Sequence, residues 1–155
     1  MRTVELLLDQ ELEATVRDLW RRLSDAGLPS LAQHPHPTNR PHLTLITAAS
    51  LPPFDPPMPI AAELGPVRRL GRALVLAVTP TPELRDLQAT LWSSLAGQDP
   101  WPAPADWVPH VSLALKFPPD RRVELPANPA RGHFVAARSY DTQNRTVVPL
   151  PSDRV

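Results

Sequence analysis

Apolar residues along this chain fall into two periods that alternate. Thr3 to Leu8 (TVELLL) is a short, nearly continuous apolar run, the pattern of a buried strand. The period then lengthens, and Leu12, Val16, Leu19 and Leu23 lie on one face of a predicted helix. Asp9 stands at its N-cap position and Glu11 and Glu13 occupy its first turn, where the helix dipole favours negative charge; Gly27 and Pro29 stop it. After a proline-containing loop, Leu28 to Arg40, period-two alternation returns at 42–47. Ile60 to Leu70 and Arg72 to Thr79 predict two strands turning near Gly71. Thr79 or Thr81 then caps a second helix, with Pro82 at its first position, Leu84, Leu87, Leu91 and Leu95 as its stripe, and Gly97 at its end. A further proline loop leads to alternation over 110–117, and Gly132–Tyr140 with Thr146–Leu150 predict a hairpin around 141–144.

This order repeats. Each half runs strand, capped helix, proline-rich loop, alternating strand and further strand, and both helices contain Leu-Trp-x-x-Leu, at Leu19-Trp20 and Leu91-Trp92. The reading is an internal duplication, with lobes of about residues 3–71 and 72–150 inside one 1–155 domain related by a pseudo-two-fold axis. Trp20 and Trp92 are expected in or near the core.

Composition narrows the function classes. With 155 residues the chain has the length of one domain, and its 16 acidic and 16 basic residues cancel. No global field draws it to duplex nucleic acid or to an anionic membrane. The absence of cysteine excludes disulfides, zinc–thiolate sites and a thiol nucleophile, and agrees with a reducing, cytoplasmic setting. The N-terminus turns acidic after a short apolar run, unlike a signal peptide, and no apolar run reaches the roughly 18 residues of a membrane span. The 22 prolines cluster at 29–41, 52–59, 100–109 and 118–129, which marks these stretches as loops.

Candidate chemistry lies where the two alternating strands begin. Pro41-His42-Leu43-Thr44-Leu45 and, 68 residues on, Pro109-His110-Val111-Ser112-Leu113 share the form Pro, His, aliphatic, hydroxyl, Leu. Strand side chains alternate faces, so each copy presents an imidazole and a hydroxyl on one face and an aliphatic row on the other, which in the second copy extends to Leu115 and Phe117. A pseudo-two-fold relation lets the two imidazoles face one cleft. Histidine changes charge near neutrality, so one imidazole can take a proton while the other gives one, on opposite sides of a phosphodiester. Thr44 and Ser112 would hold its non-bridging oxygens, without a metal or other cofactor.

Paired His-x-Thr/Ser motifs, each after Pro and each before Leu, resemble those of the two-histidine phosphoesterase superfamily, which includes the LigT-like RNA 2′,3′-cyclic phosphodiesterases, also called 2′-5′ RNA ligases. The resemblance covers about residues 3–150. It implies an α+β, bilobal, duplicated fold with two antiparallel sheets flanking a central cleft and helices outside. It also implies catalytic His42 and His110 and phosphate-binding Thr44 and Ser112. The chain departs from many relatives at 52–59 and 118–129, too short and too proline-rich for the helix found there, so a trimmed cleft rim is expected. The implied activity is opening of 2′,3′-cyclic phosphates on an RNA 3′ end or a small cyclic nucleotide, by a monomer. The same chemistry would serve a 2′-5′ RNA ligase or an ADP-ribose 1″,2″-cyclic phosphate phosphodiesterase. Alternatives from other classes are a non-catalytic module for nucleotides or RNA ends and a metal-binding protein using several histidines.

Further substrate contacts are expected from Arg40, two residues before His42; from Trp107, placed to stack a base; and from Arg138 and Tyr140, on one face of the C-terminal strand. His34 and His36 alternate between loop prolines without the spacing of a metal site and are expected on the surface or the rim; His133 has no assigned role.

Overall fold

The computed structural model describes residues 1–126 and 128–150, so the last five residues of the expected 1–155 unit lie outside it. Seven strands and two helices follow in the order β1 (Arg2–Leu8), α1 (Gln10–Asp25), β2 (His42–Ala48), β3 (Ile60–Leu70), β4 (Ala73–Val78), α2 (Pro82–Ser94), β5 (His110–Ala114), β6 (Ala130–Asp141) and β7 (Thr146–Leu150). No helix among the described residues is long and apolar enough to cross a membrane.

The helices start where the caps require. The Asp9 carboxylate accepts from the Leu12 N–H at 2.8 Å, and Thr81 rather than Thr79 caps α2. Gly27, at φ 73°, leaves α1 through a left-handed conformation that a side chain resists. Leu12, Val16, Leu19, Trp20 and Leu23 of α1 join Leu84, Leu91 and Leu95 in one hydrophobic cluster with the apolar faces of the strands. Trp92 is half-buried against that cluster. Alternation alone does not reveal Gln88, fully buried in α2, whose amide donates to the carbonyls of Leu45 and Pro102.

All strand pairs are antiparallel, in the order β1-β2-β5-β4-β3-β6-β7, with β1 also paired to β6. The α+β class with antiparallel strands is therefore present, and the two expected sheets are joined into one. Six strands close a ring, because β3 and β6 pair through Ile60–Leu64 and Ala130–Phe134, and β2 and β5 pair through Leu43 and Val111. A division at 71/72 falls in the tight turn of the β3–β4 hairpin, whose last pairs are Arg69–Leu74 and Leu70–Ala73. The second alternating strand is shorter than expected. It ends at Ala114, Leu115 turns out to solvent at 54% exposure, and the Phe117 N–H leaves the strand for the Arg72 carbonyl.

Asp9 ties α1 to the ring. Its backbone N–H donates to the His133 carbonyl, and its second carboxylate oxygen accepts the His133 N–H, each at 2.8 Å. This close approach needs glycine at 132, where a Cβ would lie 2.4 Å from the Asp9 carboxylate and 2.8 Å from Leu12. The N–H groups, Leu12 first and His133 after it, outweigh the opposing effect of burial and hold the Asp9 carboxyl below its ordinary value of 3.8. A depressed carboxyl stabilises the fold above its unfolded value and loses that contribution as pH falls through the lower folded value. Asp9→Ala is expected to cost about 1–2 kcal/mol in denaturant unfolding at pH 7, with the gap to the parent protein narrowing as pH falls below about 4.

Candidate active site

The site is built on one row of apolar contacts. The Leu43–Val111 rung extends in register across six strands as Ala137, Leu6, Leu43, Val111, Leu76 and Val67. The first five are buried and Val67 packs against the same cluster. Strand residues alternate faces, so the positions flanking this row project onto the other surface of the sheet. Those positions on β2 and β5 are His42, Thr44, His110 and Ser112, all half-buried. Antiparallel pairing about Leu43–Val111 sets Thr44 across from His110 and His42 across from Ser112. The imidazoles then occupy diagonal positions, whose separation in a regular sheet is about 7–8 Å.

Both rings are held the same way. His42 Nδ1 lies 2.7 Å from the Arg40 carbonyl and His110 Nδ1 lies 2.7 Å from the Val108 carbonyl. A carbonyl only accepts, so Nδ1 carries the proton and donates, which in the neutral ring leaves a lone pair on Nε2. The intervening prolines, Pro41 and Pro109, are both buried and restrict the turn that brings the carbonyl of residue i−2 onto the ring. The Thr44 and Ser112 hydroxyls have no protein hydrogen-bond partner among the described residues. Their backbone carbonyls are engaged by indoles: Trp107 Nε1 donates to Thr44 at 3.1 Å and Trp20 Nε1 to Ser112 at 3.0 Å.

Charge on this face is unequal. Glu5, one strand from Thr44, is only 4% exposed; its Oε2 lies 3.4 Å from His42 Nε2 and accepts from Thr3 Oγ1, while its Oε1 takes the Arg138 Nε–H at 2.8 Å. The place of Glu5 beside β5 is filled by Val75, paired with Ser112. The imidazolium of His42 therefore has a carboxylate to receive its Nε2–H, and no acidic residue stands in the matching position beside His110.

The expected contacts separate. Arg138 and Tyr140 line the same hollow of about 470 Å³ as His42, Glu5, His34 and His36. Arg138 is buried there, its Nη2 donating to the Thr38 carbonyl at 2.8 Å. Trp107 is also buried, at 8% exposure, and its indole N–H is committed to Thr44, so it forms a wall rather than a free stacking platform. It lines a second hollow of about 480 Å³ with His110, Val75, Ala77, Arg68 and Arg69. Arg40 turns its guanidinium to Glu13 on α1 and serves His42 through its carbonyl. His36 is tied to Thr38, and among the described residues no three His, Asp or Glu side chains are grouped to hold a metal ion.

Two residues on this face, Glu5 and Arg68, have no place in the sequence reading. Glu5 left one trace there, as the single charge inside TVELLL. Arg68 left none.

No protein-family model matches the sequence, and no curated protein matches it. A solved structure described as a phosphoesterase superposes with a TM-score of 0.61, covering 99% of this chain and 95% of that one at 14% identity. At that identity the likeness is one of fold.

Replacing Glu5 alone strands a buried guanidinium. Glu5→Gln is expected to lower unfolding free energy by about 3 kcal/mol, whereas Glu5→Leu combined with Arg138→Met is expected to recover most of that loss. Urea titrations of the three proteins measure both.

Proposed function

We propose that the chain is a metal-independent phosphodiesterase that opens 2′,3′-cyclic phosphates of RNA ends or nucleotides. The observation that carries this reading is the shared face of His42, Thr44, His110 and Ser112 on adjacent strands, with both imidazoles anchored at Nδ1. The phosphoesterase likeness of the fold agrees with it. The reacting phosphate lies over the Leu43–Val111 rung, and the groups attached to it extend into the two hollows.

In this scheme the Nε2 of one imidazole removes a proton from the attacking water as its oxygen bonds to phosphorus. The bond from phosphorus to the ribose 3′ oxygen breaks, and the Nε2–H of the other, protonated imidazole passes to that oxygen, leaving a 2′-phosphate. The hydroxyls of Thr44 and Ser112 donate to the non-bridging oxygens, where negative charge accumulates in the transition state. Each product ring holds the opposite proton from its starting state, and exchange with solvent resets the pair.

Purified protein is expected to convert nucleoside 2′,3′-cyclic phosphates to 2′-phosphates without added metal, with undiminished rate in EDTA. His42→Ala and His110→Ala are each expected to lower kcat by at least about 100-fold, and kcat/KM to follow a bell-shaped pH profile. Thr44→Val and Ser112→Ala are expected to lower kcat by roughly tenfold each. Undiminished turnover in either histidine variant would remove the two-imidazole mechanism. Saturable binding with no product at any pH would make the site a binding module instead.

A further inference from the structure

The pairing register exposes a cation on the His110 side that matches a neutralised one on the His42 side. Across β6, β1 and β2 the aligned residues are Arg138, Glu5 and Thr44; across β3, β4 and β5 they are Arg68, Val75 and Ser112. The two triplets sit at equivalent places about the Leu43–Val111 rung. They differ in the middle. Glu5 takes up Arg138, which is buried and unable to give its full charge to a ligand. Val75 offers Arg68 nothing, and Arg68 is exposed with no hydrogen bond or ion pair among the described residues.

Its neighbours are occupied. Arg69 donates to the Pro118 and Arg121 carbonyls, and its guanidinium stacks over the Phe117 ring at 5.0 Å. Glu63, an acid on the same strand, is paired with Arg131 at 3.5 Å. Arg68 lines the hollow of about 480 Å³ with His110 and Trp107, a volume in the range that holds a nucleotide. Two strand spacings separate its backbone from Ser112, roughly 10 Å, a gap that an arginine side chain crosses in large part. A guanidinium is a planar fork matched to phosphate oxygens.

We infer that Arg68 binds a second phosphate of the substrate, one ribose away from the reacting cyclic phosphate, and so selects phosphorylated nucleotides or strands over free nucleosides. This rests on the phosphodiesterase reading. The second phosphate is either a 5′-phosphate or the internucleotide linkage of an RNA 3′ end, and the same guanidinium serves both.

The test compares three substrates: a nucleoside 2′,3′-cyclic phosphate, its 5′-phosphorylated form, and a dinucleotide ending in the same cyclic phosphate. The parent protein is expected to show roughly tenfold or higher kcat/KM on one or both of the latter two, mainly through KM. Preference for the 5′-phosphorylated form or for the dinucleotide identifies which phosphate is held. Arg68→Gln is expected to collapse the ratio toward one and Arg68→Lys to retain part of it. Because Arg68 is exposed and has no ion pair among the described residues, thermal unfolding of both variants is expected to match the parent. Equal kcat/KM on all three substrates, or a preference unchanged in Arg68→Gln, overturns the assignment while turnover itself upholds the phosphodiesterase. No turnover of any substrate defeats the enzyme reading and this inference with it.

Discussion

One backbone rung, between Leu43 and Val111, fixes the relation of the two histidines. Both residues are fully buried, and each lies between a His and a hydroxyl residue that point the other way. Slipping this pair by one position would turn a histidine into the core and a leucine into solvent, a change the buried row from Ala137 to Val67 forbids. The core thus sets the geometry of the polar face without touching it. The indoles of Trp20 and Trp107 reinforce this from both sides, each donating to the backbone beside one of the two hydroxyls.

Within that near-symmetric frame a single difference makes the surroundings of the two histidines unequal. Glu5 and Val75 occupy equivalent places, and the choice between carboxylate and isopropyl propagates to three neighbours. Among the described residues it gives His42 a charge partner that His110 lacks, locks Arg138 against the sheet, and leaves Arg68 uncommitted. Two strands that present the same pairing of histidine and hydroxyl are thus set in different surroundings.

The elements and the histidine pair were legible in the sequence because their signals are local. Caps, period changes and a repeated pentapeptide all lie within a few residues. The neighbours of the histidines are not local. Glu5 meets His42 from 37 positions away and Arg138 from 133, through registers that alternation alone does not specify. Trp107 shows the same limit from the other direction, since its place three residues before His110 suggests a stacking surface, and only the packed structure commits its N–H to Thr44. The two sheets that the family resemblance implied are joined for a related reason: ring closure depends on β3 meeting β6, and nothing in either strand names the other.

The pairing of β1 with both β2 and β6 also bears on how the chain is made. Its first partner ends at Ala48 and its second begins at Ala130, so 82 positions separate the two in the chain. At typical translation speeds of about 5–20 residues per second, one edge of an apolar N-terminal strand waits roughly 4–16 s on the ribosome for its cover. Such an edge invites pairing with other nascent chains, and a charge within the strand discourages it. In Val4-Glu5-Leu6-Leu7-Leu8 that charge is Glu5. The carboxylate that meets His42 in the finished protein also places a charge in the middle of this strand while its second edge is uncovered.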